Sequence, residues 1–264
     1  MKLKIGIFDS GIGGFTILRS LLKNRNDVQV FYMADTERIP YGNKSISQIR
    51  LIAKEISFWF KDKNLDALLI ACNTTNACAL DILENNLRIP CFDLINSVSE
   101  IISKEKIGIL ATSATIKSLY YKKVLNFKKE NLKIFQQECP EFVLEIEKNK
   151  LNLKKINYLS ELYLSPLIKE NIQELILGCS HYPLIYDILR KKVSPNVKMI
   201  DPAEALIKKF NNFFLIPKNY VSESISYDKV SFFVTANNEE FSYKVKYWLG
   251  INKEISSVNL RSNH

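Results

Sequence analysis

The sequence predicts an α/β fold of two similar parallel-sheet domains related by pseudo-twofold symmetry. Short apolar runs that suit buried parallel strands alternate with segments of helical spacing along the chain. The first run, Lys4–Phe8, is echoed 102 residues later by Lys106–Leu110. Two cysteines that follow later runs, Cys72 and Cys179, lie 107 residues apart. Because the two offsets nearly coincide, we infer an internal duplication with the active site in the cleft between the halves.

The first unit opens with a glycine-rich turn. Strand Lys4–Phe8 ends at the segment Asp9–Gly14 (DSGIGG), and a helical pattern follows. This order suits phosphate binding, but Thr16 occupies the place of the third glycine in the dinucleotide fingerprint. We therefore interpret the turn as one that presents Asp9 and Ser10 and lets the backbone lie against a small ligand.

The first cysteine stands at the end of a buried strand. A helix predicted over Ser45–Lys63 carries a core-facing apolar stripe, and strand Leu68–Ala71 then leads into Cys72. The loop 35–42, which follows strand Val28–Met33, combines charges, an aromatic ring and turn residues. That composition suits a binding loop and a plain surface connection equally.

The second cysteine repeats this construction. Strand Leu175–Leu177 leads into Gly178 and Cys179, and Pro183 suits the first turn of a following helix. The remaining predicted strands are Ile89–Phe92, Leu132–Gln136, Val197–Ile200, Phe232–Thr235 and Ser256–Leu260. The remaining predicted helices are Phe15–Leu22, Ala77–Asn85, Val98–Ser103, Ile116–Leu125, Val143–Leu167, a helix that begins at Asp201, and Glu239–Leu249.

The tail is too short to form a domain, so we expect it to return to the first unit. The predicted domains are therefore residues 1–95 plus 206–264, and residues 96–205.

The composition is that of a globular protein, with 47% apolar and 25% charged residues among 264. No run approaches the roughly eighteen apolar residues of a membrane span, and no signal-peptide pattern opens the chain, so we expect no membrane association. Five cysteines without close pairing suit a reducing compartment, which predicts the cytoplasm. The formal net charge of +9 comes from scattered lysine pairs rather than one basic stripe, so we expect no nucleic-acid partner.

Two thiols on opposite sides of one cleft suit acid–base chemistry at the two faces of a single carbon. Racemisation at an α-carbon is such a reaction, because one thiolate removes the proton and the opposite thiol returns another. We expect the following helix N-termini to lower both thiol pKa values. Asp9 and His181 are candidate proton relays beside Cys72 and Cys179. Turn groups suited to binding an amino acid are Ser10, Asn73, Thr74, Thr75, Thr112, Thr115 and Ser180.

Alternative roles for the cysteines and the histidine are weaker. Cys78 and Cys91 suit apolar core positions. A metal site is not predicted, because there is no Cys-x-x-Cys pair and His181 has no second internal histidine to complete a ligand set.

Four segments together resemble the signature segments of the glutamate racemases. They are Asp9–Gly14, Pro40–Gly42, Ala71–Thr75 and Gly178–Pro183, in this order across nearly the whole chain. The resemblance implies two α/β domains, no pyridoxal phosphate or other cofactor, no metal, a homodimer, and a supply of D-glutamate for peptidoglycan.

The resemblance also implies roles for individual residues. Cys72 would deprotonate D-glutamate and Cys179 L-glutamate, with Asp9 and His181 assisting and Glu147 a partner of the histidine. Residues implied to bind or lie near the substrate are Asp9, Ser10, Tyr41, Gly42, Asn73, Thr74, Thr112, Thr115, Ser180 and His181. Ser180 stands where this family usually has threonine, and serine keeps the hydroxyl.

Three alternatives remain open at the level of sequence. Aspartate racemases look similar around both cysteines but usually have a glutamate at the position of His181, which favours glutamate as the substrate. A non-catalytic amino-acid-binding or regulatory protein would have no need of both thiols. A nucleic-acid-binding role predicts salt-sensitive binding to DNA.

Overall fold

The described part of the chain contains ten strands in two wholly parallel sheets. A computed structural model describes residues 2–215 and 225–260. Its strands are β1 (Leu3–Asp9), β2 (Val28–Ala34), β3 (Ala67–Ile70), β4 (Cys91–Asp93), β5 (Lys106–Ala111), β6 (Lys133–Glu138), β7 (Glu174–Gly178), β8 (Lys198–Ile200), β9 (Val230–Val234) and β10 (Ile255–Ser257). The six-stranded sheet has the order β10-β9-β2-β1-β3-β4, and the four-stranded sheet has the order β6-β5-β7-β8. Two parallel α/β sheets are the predicted fold class.

Helices connect the parallel strands, as crossover connections require. They are α1 (Phe15–Asn24), α2 (Ile46–Lys61), α3 (Asn73–Leu87), α4 (Leu94–Ser99), α5 (Ser113–Lys117), α6 (Tyr120–Lys128), α7 (Phe142–Ile146), α8 (Leu153–Lys169), α9 (Tyr186–Arg190), α10 (Pro202–Phe213) and α11 (Asn238–Leu249). Short 3₁₀ turns occupy Tyr41–Asn43 and Tyr182–Ile185. Within residues 2–215 and 225–260, no helix has the length and apolarity that crossing a membrane needs.

The four strands of the second sheet repeat four of the six strands of the first. The order β2-β1-β3-β4 in the first sheet corresponds to β6-β5-β7-β8 in the second. The register agrees as well, because Phe8 pairs with Ile70 in the first sheet and Leu110 pairs with Leu177 in the second. Cys72 lies two residues after Ile70, and Cys179 lies two residues after Leu177. The two cysteines therefore occupy equivalent positions in the two sheets.

The C-terminal strands belong to the first sheet. Strand β9 pairs with β2 from Val30 opposite Val230 to Ala34 opposite Val234, and β10 pairs with β9. Residue 206, where the second segment of the first domain is predicted to begin, lies inside α10. The predicted domain limits themselves stay a prediction, and residues 1, 216–224 and 261–264 lie outside the described part of the chain.

Several predicted helices have different bounds in the structure, and the causes are local in three of them. The helix predicted over 98–103 begins earlier, at Leu94, because the Asp93 carboxylate accepts from the Asn96 amide at 2.8 Å and caps it. The helix predicted over 116–125 is divided into α5 and α6 at Leu119, whose φ of 58° lies in the left-handed region. The region 143–167 forms α7 and α8, and Asn152 caps the second of them.

Candidate active site

Cys72 stands between β3 and α3 as the N-cap residue of that helix. Its side chain is buried, and its Sγ lies 3.9 Å from the Ser10 Oγ. Burial raises the pKa of the Cys72 thiol to about 12, and the nearby Asp9 charge acts in the same direction. The prediction that this pKa is lowered is wrong, because the loss of solvation outweighs the groups of Thr75 that favour the thiolate.

Cys179 stands at the equivalent place after β7 and is also buried. Its Sγ lies 3.7 Å from the His181 Nδ1. A four-residue 3₁₀ turn follows, with Pro183 in its first turn, rather than a long α-helix. The immediate polar neighbour of this sulfur is therefore an imidazole.

Glu147 holds the other side of the His181 ring. The two residues lie 2.6 Å apart between Glu147 Oε1 and His181 Nε2, and the same oxygen accepts from the Ile12 amide at 2.9 Å. Although burial opposes ionisation, contacts with His181 and Lys244 lower the pKa of Glu147 to about 2. Contacts with Cys179 and Glu147 raise the pKa of His181 well above its usual range, against the opposing effect of burial. Both shifts favour the charged form, a carboxylate at Glu147 and a protonated ring at His181.

Asp9 joins the loops of the two halves. Its Oδ1 accepts from the Gly11 amide at 2.9 Å, and its Oδ2 accepts from the Ser180 hydroxyl at 2.8 Å. The side chain is completely buried, and burial raises its pKa above the usual range. Asp9 therefore lies beside the loop that carries Cys179, while Ser10, its neighbour in sequence, approaches Cys72.

Two glycines of the first turn, Gly11 and Gly13, pack against side chains of the second half. A Cβ atom at Gly11 would lie 2.0 Å from Glu147 Oε1, and one at Gly13 would lie 2.3 Å from Ser180 Oγ and 2.7 Å from His181 Nδ1. Whether the backbone of this turn also lies against a small ligand stays a prediction. The two glycines permit the close contact between the two halves on which the site depends.

A cluster of hydroxyl groups lies at the same interface. Thr74 Oγ1 and Thr112 Oγ1 lie 2.9 Å apart, and Thr115 Oγ1 lies 2.9 Å from Thr112 Oγ1. A Cβ at Gly42 would lie 2.6 Å from the Thr112 Cβ, so the loop that carries Gly42 contacts the second half directly. The structure thus brings together residues that the sequence places far apart.

The amide of Asn73 has one free group. Its Oδ1 accepts from the Tyr121 hydroxyl at 2.7 Å, whereas its buried Nδ2 has no hydrogen-bond partner among residues 2–215 and 225–260. Such a donor is available to a bound ligand, because a buried polar group without a partner is otherwise costly. The buried hydroxyl of the neighbouring Thr75 also has no hydrogen-bond partner in this part of the chain. Together with the Thr75 backbone amide it would favour a Cys72 thiolate.

The hydroxyl of Tyr41 is already engaged inside the first half. It donates to Asp35, which also accepts from Arg38 Nε at 2.7 Å and from the Thr235 hydroxyl at 2.8 Å. The Tyr41 ring is buried. The side chain therefore shapes the loop, and what it leaves for a ligand is backbone rather than hydroxyl.

Lys244, on α11, contacts the site without having been predicted. Its Nζ lies 3.0 Å from Glu147 Oε2. In the sequence it is one of many lysines on a helical pattern, and only its partner in the fold distinguishes it. In the described part of the chain, no three His, Cys, Asp or Glu side chains are grouped so that they could hold a metal ion.

A family description of Asp/Glu/hydantoin racemases matches residues 17–210. The chain belongs to this family. It is 45% identical over 260 residues to a glutamate racemase of Prochlorococcus marinus strain NATL1A, with 98% of each chain covered. The resemblance carried by the four signature segments is thereby confirmed. The protein is an amino-acid racemase.

Solved structures agree over the full length. The glutamate racemase of Francisella tularensis in complex with D-glutamate is 32% identical, with a TM-score of 0.88 and 99% of each chain covered. A glutamate racemase isoform from Bacillus anthracis is 30% identical, with a TM-score of 0.87 and 98% of each covered. The aspartate racemase of Picrophilus torridus, at 18% identity and a TM-score of 0.56, shares the fold alone.

Proposed function

We propose that this chain is a glutamate racemase that interconverts L- and D-glutamate by proton transfer between two cysteines, without a cofactor. The observation that carries the proposal is the equivalent placement of Cys72 and Cys179 beyond matching strands of two duplicated sheets. Glutamate rather than aspartate is the proposed substrate because the full-length similarity at 30% identity and above is to glutamate racemases.

The proposed chemistry balances over one turnover. For D-glutamate, the Cys72 thiolate takes the α-proton and the Cys179 thiol gives its proton to the opposite face of the carbanion. For L-glutamate the two sulfurs exchange roles. Each turnover leaves the sulfurs with exchanged protonation states, which proton transfer with solvent or the reverse reaction restores. Because burial raises the pKa of the Cys72 thiol to about 12, the proposed reaction requires groups that favour its thiolate when substrate is bound.

Neighbouring groups have proposed supporting roles. Asp9 would assist proton transfer at Cys72 and His181 at Cys179, since each lies within the same buried cluster as its cysteine. We assign Glu147 to orienting the imidazole, which its 2.6 Å contact supports. Substrate carboxylates and ammonium would bind to Asp9, Ser10, Asn73, Thr74, Thr75, Thr112, Thr115, Ser180, His181 and the backbone of Tyr41 and Gly42.

The cellular role follows from the product. D-Glutamate from this enzyme would enter peptidoglycan synthesis and so maintain the cell wall and cell shape. Both thiols must be reduced for the proposed reaction, which the cytoplasm allows, and all five cysteines are free in the structure. We propose a homodimer, which light scattering after size-exclusion chromatography tests directly.

The deciding experiment follows L-glutamate with the metal-free, cofactor-free protein in heavy water. Exchange of the α-proton by NMR and loss of optical activity by circular dichroism are expected with the wild type. Cys72→Ser and Cys179→Ser variants are expected to lose racemisation by more than about a thousandfold, since each removes an acid–base group.

L-Aspartate in parallel identifies the substrate. Turnover of aspartate alone would keep the two-thiol mechanism and overturn the substrate. Absence of exchange with both amino acids, in a sample shown to be folded by circular dichroism, would contradict the enzymatic proposal and favour a binding or regulatory role.

A further inference from the structure

We propose that Lys244 is a positioning residue, which holds the Glu147 carboxylate against His181 from the opposite half of the molecule. The inference rests on the proposed racemase function, because it concerns the same site. Lys244 lies on α11 in the C-terminal segment, whereas Glu147 directly follows α7 in the chain.

Both oxygens of the Glu147 carboxylate are fixed by separate partners. Oε1 contacts His181 Nε2 at 2.6 Å and the Ile12 amide at 2.9 Å, and Oε2 contacts Lys244 Nζ at 3.0 Å. The side chains of Glu147 and Lys244 are only 12% and 11% exposed. A carboxylate held at both oxygens cannot rotate about its last bond without breaking a charge-assisted contact.

Helix α11 is anchored firmly enough to carry this contact. One turn before Lys244, the Phe241 ring packs against Phe15 with centroids 5.6 Å apart, and the adjacent Val245 is fully buried. Glu240 places its Oε1 2.9 Å from the lysine Nζ and limits its movement further. The ammonium group is thus fixed relative to the core of the first half.

The consequence for the site passes through the imidazole. His181 is held at Nε2 by Glu147, and its Nδ1 lies 3.7 Å from Cys179 Sγ. Without Lys244, one carboxylate oxygen loses its charged partner and Glu147 gains rotational freedom. The imidazole then loses the orientation that directs Nδ1 at the sulfur, and misplacement of a proton-transfer group by about 1 Å can lower turnover about a hundredfold.

The kinetic experiment compares Lys244→Met, Lys244→Arg and a matched control, Lys246→Met. Lys246 lies on the same helix with an exposed side chain. We expect Lys244→Met to lower kcat for glutamate about tenfold to a hundredfold with little change in KM. Lys244→Arg, which keeps a cation, should recover most of the loss, and Lys246→Met should stay within about twofold of the wild type. A wild-type kcat in Lys244→Met overturns the inference. Lys244→Gln replaces the methionine variant if that variant does not fold.

A second readout does not depend on turnover. The chain has only two histidines, so His264→Gln leaves a single imidazole for ¹⁵N-histidine NMR. We expect the Nε2 proton of His181 to give a protected downfield signal that Lys244→Met broadens or shifts and Lys246→Met preserves. An unchanged signal in Lys244→Met overturns the inference whatever the activity. Inactivity of the wild type on glutamate instead overturns the proposed function, and the NMR comparison still decides the role of Lys244.

Discussion

The Ser180 hydroxyl donates to Oδ2 of Asp9 over a distance of 2.8 Å. This hydrogen bond joins the loop after β7 to the last residue of β1. Ser180 follows Cys179 directly, and the residue after Asp9 brings its hydroxyl within 3.9 Å of the Cys72 sulfur. One buried contact therefore links the surroundings of both thiols. It is one of several contacts between the two halves.

Removal of this hydroxyl should weaken catalysis. Ser180→Ala leaves a completely buried carboxyl without one of its two hydrogen bonds. A contribution of about 1 kcal/mol corresponds to a decrease of about fivefold in kcat/KM for glutamate. Ser180→Thr retains the hydroxyl and should keep most of the activity. Equal kcat/KM for the alanine variant and the wild type would show that the bond is dispensable.

Substitution of two different glycines should affect activity and stability separately. Gly13→Ala puts a Cβ 2.3 Å from Ser180 Oγ, so the two halves must shift apart and activity should fall about a hundredfold. Gly250→Ala is the comparison, because Gly250 has a φ of 74° and open space around it. That variant should lose about 1 kcal/mol of stability with little effect on turnover. Steady-state kinetics and thermal unfolding of both variants test the contrast, and loss of activity in Gly250→Ala would contradict it.

The Tyr41 hydroxyl should matter for stability more than for catalysis. It donates to the fully buried Asp35, which keeps its contacts with Arg38 and Thr235 when the hydroxyl is lost. Tyr41→Phe should lower the free energy of unfolding by about 1 to 2 kcal/mol in urea titrations. Its KM for glutamate should stay within about twofold of the wild type, and a large rise in KM would show that the hydroxyl binds substrate.

Glu147 should make stability depend on acidic pH. Its folded pKa of about 2 lies below the ordinary value of 4.5, because His181 and Lys244 favour the carboxylate. A depressed pKa stabilises the fold above the ordinary value, and this stabilisation is lost as the pH falls from about 4.5 through about 2. The shift corresponds to about 3 kcal/mol.

A matched pair of glutamine variants isolates this contribution. Urea unfolding between pH 6 and pH 3 should show a smaller pH-dependent loss of stability for Glu147→Gln than for the wild type. Glu161→Gln removes an exposed carboxylate that pairs with Lys192 and should follow the wild-type curve. Parallel curves for all three proteins would refute the assignment.

Local pattern determined the elements that carry the site. Apolar runs that end at polar turns predicted that Cys72 and Cys179 follow buried strands, because strand and turn signals depend on residues close together in the sequence. The repeated offset between the two halves indicated two similar sheets. Helix limits were less accurate where a cap or a left-handed residue decides, as at Asp93 and Leu119.

The tertiary structure alone decided which side chains meet across the cleft. Lys244 and Glu147 are 97 residues apart and Ser180 and Asp9 are 171 apart, and no periodic pattern connects such positions. The tertiary structure also determines how well each group is solvated. The sequence predicts that the following helix lowers the pKa of the Cys72 thiol, whereas burial beside Asp9 raises it. The sequence by itself determined the strands, the turns and the two thiols, while the packing of the halves determined their electrostatics, because long-range contacts and burial depend on the whole fold.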